Sequence, residues 1–140
     1  MVDTWQPAGG DTTEPDLTVL KTLASLHQQL ELSTDLNAAI DEQNLARARS
    51  WIQLAEDQWQ TVINEMEQQE RLDLATFYTV AEMKLSGWEA RDKNPAIWIY
   101  RFLKKTKQLP EKDIIKALKG KTDNRYIPTG SVLYSRHHEK

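Results

Sequence analysis

Apolar residues recur along this chain at helical spacing, and no sustained strand-like alternation competes with it. Val19, Leu23, Leu26 and Leu30 follow a 4-3-4 spacing, with Leu20 beside them, which predicts a helix that buries one face. Thr13-Glu14-Pro15-Asp16 reads as its start: a capping hydroxyl, an early proline, and acids where the helix dipole favours them. The apolar set then shifts to Leu32, Leu36, Ala39 and Ile40, so the helix either breaks at Ser33-Thr34-Asp35 or runs on to about residue 40.

The clearest periodicity comes next. Leu45, Ala48, Ile52, Ala55, Trp59, Val62 and Met66 repeat at 3-4-3-4-3-4, an unbroken heptad seam. It predicts a second long helix, capped by Asn44 and joined to the first through Asp41-Glu42-Gln43. A connection that short favours an antiparallel hairpin over about 15–70.

A third helix is expected from Asp73 to Trp88, with Leu74, Phe77, Tyr78, Ala81, Leu85 and Trp88 on one side. Asn94-Pro95 supplies a cap followed by proline at the first helical position, opening a fourth helix over about 95–107. A fifth starts near Leu109-Pro110-Glu111 and stops at Gly120, read as the glycine that follows a helix end. Pro128-Thr129-Gly130 is a turn, and Ser131-Val132-Leu133-Tyr134 a short extended piece. The fold class is therefore all-α: a helical bundle built on a long antiparallel hairpin, with two shorter basic helices and an irregular C-terminal tail. Residues 1–13 form a polar arm, 14–120 a single domain (acidic part 14–89, basic helices 94–120), and 121–140 the tail.

Composition adds limits. At 140 residues one domain suffices, and it can bury a core without staples. The absence of cysteine excludes thiol catalysis, cysteine-ligated zinc and iron–sulfur clusters. The first residues carry neither a basic n-region nor an apolar h-region, no apolar run reaches membrane-spanning length, and a cytoplasmic location is the expectation.

Charge changes the picture more. Residues 1–90 carry 5 Lys/Arg against 16 Asp/Glu, and residues 91–140 carry 13 against 5. The whole-chain −3 conceals this segregation. Lys112, Lys116 and Lys119 fall within about 60° of one another on a helical wheel, opposite Ile114, Ile115 and Leu118. With Arg101, Lys104, Lys105 and Arg125 they form the candidate partner-binding set. Trp5 joins it as an aromatic residue in a polar arm, whereas Trp51, Trp59, Trp88 and Trp98 are expected in the core.

Catalytic and metal motifs are absent from the sequence. The three histidines are His27, His137 and His138, and none completes a Glu-x-x-His pair. His27 stands four residues from Glu31 on one helix and is expected to be a satisfied boundary histidine. Adjacent acids such as Glu56-Asp57 diverge around a helix and do not converge on one atom. No cofactor is implied. The expected function is a non-catalytic interaction module (adaptor, regulator or assembly chaperone) that docks another protein, acidic in character, through the basic third or the hairpin. The alternative is a nucleic-acid-associated protein contacting phosphates through helices 95–125, with a homodimer compatible with either.

Overall fold

The computed structural model describes residues 15–36 and 39–130, and among these the chain is all-helical with no strand. Seven α-helices follow in order: α1 (Leu17–Ser25), α2 (His27–Leu32), α3 (Glu42–Ser50), α4 (Glu56–Asn64), α5 (Gln68–Lys84), α6 (Pro95–Lys105) and α7 (Lys112–Lys119). Single 3-10 turns cover Trp51–Gln53 and Arg91–Lys93.

The first helix begins later than the sequence suggests. Asp16 is its cap, its carboxylate accepting from the Val19 amide at 3.2 Å. Leu26 kinks the helix into α1 and α2, and Ser33 ends it in extended geometry, so it does not continue to residue 40. Leu36 and Ile40 are still buried, but from an irregular segment, while Leu32 at the end of α2 is 88% exposed.

The long hairpin is not formed. The heptad seam is divided between α3 and α4, with Leu54 and Ala55 in extended conformation between them. Ala55, the exposed member of the seam, is where the helix gives way. The break is well satisfied: the Ala55 amide donates to the Gln58 side chain at 2.9 Å, and the buried Trp59 indole donates to the Trp51 carbonyl at 2.9 Å. Asp41, not Asn44, caps α3, accepting from the Asn44 amide at 2.7 Å. A heptad records which residues face the core, not whether the backbone between them is continuous. α1 and α2 touch α3 and α4 only slightly, α1 against α3. α1 and α2 lie chiefly along α5, which also packs against α6, and α4 packs on α6.

α5 is thus the central helix, buried on most sides from Leu74 to Glu82. It starts ahead of Asp73, at Gln68, because the Glu67 amide donates back to the Glu70 carboxylate at 3.0 Å, half of a capping box. It ends at Lys84, so Leu85 and Trp88 lie beyond it, with Gly87 at φ 89° between them. All four expected core tryptophans are buried. Trp59, Phe77, Tyr78 and Trp88 meet edge-on or tilted at 5.5–6.0 Å between centroids. The Tyr78 hydroxyl donates to the Ala48 carbonyl at 2.9 Å, fixing α3 to α5.

α6 matches its expected start: Asn94 caps it, accepting from the Ala96 amide at 2.8 Å, with Pro95 at the first position. It closes with a Schellman motif: Lys107, at φ 61°, donates to Lys104, and Gln108 donates to Leu103. α7 forms as expected, but Gly120 ends it at φ −72°, so its left-handed freedom is not used there. Only Leu118 of α7 is buried, with Ile115 partly so. The tail enters the fold as far as Thr129, with Asn124 and Ile127 buried.

Candidate functional site

The basic residues of the C-terminal third divide into two groups by what they touch. Arg101 is built into the fold. Its Nη1 lies 3.0 Å from Glu56 Oε1, its Nε donates to the Thr129 carbonyl at 3.0 Å, and its guanidinium covers the Trp98 ring at 5.2 Å. Gly130, at φ 88°, leaves it room: a Cβ there would stand 2.6 Å from Arg101 Nη2. Lys121 likewise reaches Glu31 of α2 at 2.9 Å, and Arg91 faces Asp123 at 3.5 Å. Part of the cationic third is therefore neutralised by its own chain.

Lys112, Lys116 and Lys119 are not. All three are exposed on one face of α7, and no carboxylate of the described residues stands within ion-pair distance of them. The same holds for Lys105 on α6 and Arg125 in the turn after α7; Lys104 is also exposed. The nearby acids Glu111 and Asp113 sit at the start of α7, where they favour the positive end of the helix dipole. Trp5, His137 and His138, together with the expected extended piece 131–134, lie outside the described residues.

The inner side of α7 roofs a groove of about 320 Å³, walled by α2 and α5 and floored in part by Tyr100 of α6. Leu72, Ile114, Ala117 and Leu118 supply apolar surface, and His27, Glu31, Asp73 and Lys121 supply charge or its capacity. His27 does not turn to Glu31 as its spacing suggests. Its Nε2 lies 3.4 Å from Asp73 Oδ1, which also accepts from Gln69 Nε2 at 2.9 Å, while Nδ1 is buried without a partner. Burial pushes the Tyr100 phenol up to about 12, so it is a neutral hydroxyl at physiological pH.

Two buried polar networks went unrecognised in the sequence. Arg71 closes the end of α4, donating to the carbonyls of Ile63 at 2.9 Å and Asn64 at 3.2 Å while stacking 4.7 Å over Phe102. Burial lowers its pKa from the ordinary arginine value. Glu82 accepts through Oε1 from Asn94 at 2.7 Å and Asn124 at 2.9 Å, and through Oε2 from the Arg91 amide at 3.0 Å. One carboxylate thus ties α5 to both the α6 cap and the tail. The only available signal was an isolated acid amid the apolar run of α5, which reads equally well as a solvated position.

Among the described residues no three histidine, aspartate or glutamate side chains gather as metal ligands, and no helix is long and apolar enough to cross a membrane. No protein-family model matches the chain, and neither a curated protein nor a solved structure shows significant similarity to it.

Proposed function

We propose that this protein is a non-catalytic interaction module that docks an acidic partner protein through the outward face of α7. The observation that carries the reading is the contrast between cations: Arg101, Arg91 and Lys121 are paired within the chain, whereas Lys112, Lys116 and Lys119 have no carboxylate partner among the described residues. Three like charges along one short helix face repel one another and are relieved by an opposing anionic surface. A partner of complementary charge gains mainly in association rate and orientation, and salt weakens the encounter. Phosphate backbones offer the same charge, but the acidic bundle behind α7 and Glu111 and Asp113 at its start oppose a long polyanion.

The test is affinity capture from nuclease-treated extract by the full chain and by a Lys112→Glu/Lys116→Glu/Lys119→Glu variant, with the retained protein then purified and titrated directly. An acidic protein that binds the parent, loses at least about tenfold in affinity for the variant, and weakens with salt supports the reading. Equal binding by both, or capture that disappears on nuclease treatment, overturns it; the latter outcome favours nucleic acid.

A further inference from the structure

The groove on the inner side of α7 has unused bonding capacity of one kind. Asp73 Oδ1 is occupied by Gln69 and faces His27, but Oδ2 has no partner among the described residues. Glu31 Oε1 is held by Lys121, and Oε2 has none. Both side chains are about 30% exposed, so neither is sealed from a ligand entering the groove. Tyr100, only 1% exposed, lines the same space with a hydroxyl that makes no hydrogen bond to a described residue. That hydroxyl is not sealed in the core as the Tyr78 hydroxyl is, which donates to the Ala48 carbonyl.

These groups favour a positive ligand. Lys121 is the fixed cation of the lining, and it is already engaged by Glu31. The lining sets two carboxylates, Asp73 and Glu31, against that one fixed cation, so an incoming anion would meet an excess of negative charge, whereas an ammonium would find free acceptor oxygens and the Tyr100 ring. The volume, about 320 Å³, lies at the lower end of the range for small-molecule sites.

We propose that this groove binds a small organic amine. The ammonium is taken by Asp73 and Glu31 and capped by Tyr100, with its apolar body against Leu72, Ile114 and Leu118. The site is separate from the docking face: the lysines point outward from α7, and the groove uses its opposite side.

The experiment is an amide-resolved NMR titration of the full chain at neutral pH with hexylamine, hexanol and hexanoate, which share a tail and differ in head group. Hexylamine is expected to give saturable shifts at His27, Asp73, Tyr100 and Ile114, with affinity at least about tenfold above hexanoate, the ratio expected from one charge-assisted hydrogen bond. Asp73→Asn should remove most of that preference, and Glu31→Gln part of it. Hexanoate binding as tightly as hexylamine, or hexylamine shifts that are scattered and unsaturable, would overturn the proposal. The three-ligand comparison on the parent decides the matter even if a variant fails to fold. Loss of the α7 docking reading would leave this result untouched.

Discussion

Along α5 charge is spent inside the protein, whereas on α7 it is turned outward. Glu82 has two asparagine amides and a backbone amide to itself, and Arg71 has two carbonyls and an aromatic face. α7 instead rests on Leu118 and part of Ile115, with the Lys121–Glu31 pair beyond its end. An exposed ion pair of that kind contributes at most about 1 kcal/mol, so burial of Leu118 is the main anchor. The contrast shows that sorting charge along a chain does not by itself mark a binding surface. Some of the cations exist to close the fold, and only those left over are free to meet a partner.

Alkali should separate the two regions most strongly, because it acts on two buried phenols of the closed region together. Burial raises Tyr78 well above its ordinary value and Tyr100 to about 12. Unfolded tyrosine releases its proton near pH 10, while the folded protein retains it, so above pH 10 the unfolded state binds fewer protons. Stability is therefore expected to be unaffected by these groups below pH 10 and to fall as pH rises toward 12 and beyond. The urea midpoint across this range, together with tyrosinate absorbance, checks it. Absorbance from all tyrosines rising together near pH 10 without unfolding would contradict the burial of these two.

Next in size is Glu82→Ala, expected to cost about 3–5 kcal/mol in urea unfolding, since it leaves buried donors on Asn94, Asn124 and Arg91 without an acceptor. A loss under about 1 kcal/mol would mean that water replaces the carboxylate and that the network does not hold the tail.

How much of this was legible in the residues depends on the range of the contacts. Local signals carried well: Asn94-Pro95 marks the start of α6, and Lys112 to Lys119 the amphipathic α7. The four tryptophans on apolar faces do enter the core. The hairpin failed because Ala55, apolar and in register, hides a break that Gln58 and Trp59 stabilise from outside the seam. The start of α5 was missed because glutamate at Glu67 is not among the favoured capping residues, and only the return contact from Glu70 reveals it. Groove and network lay beyond reach for a different reason. His27 with Asp73, and Glu82 with Asn94 and Asn124, are ordinary residues whose meaning arises from packing of distant helices.

Leu118→Ala probes the other side of the contrast. It should cost about 2 kcal/mol, near the low end for a buried leucine because α7 can settle into the space. Hydrogen exchange should show where that loss falls: faster at residues 112–119, with protection in α5 preserved. Equal loss of protection in both helices would mean that α7 is as integral to the core as α5 is.

The smallest effect on folding belongs to the substitutions with the largest expected effect on binding. Reversing Lys112, Lys116 and Lys119 to glutamate removes no ion pair and buries no new group, since all three are exposed and unpaired among the described residues. Each single exposed change lies within about 0.5 kcal/mol. Placing three acids on α7 also exchanges one like-charge cluster for another, so the repulsion between them is nearly conserved. The triple variant is therefore expected to unfold in urea within about 1 kcal/mol of the parent. Arg101→Ala, by contrast, removes the Glu56 pair and the bond to Thr129 and should destabilise by more than all three lysines together. If the triple reversal proves the more damaging of the two, α7 is held by its lysines after all, and they are not available to a partner.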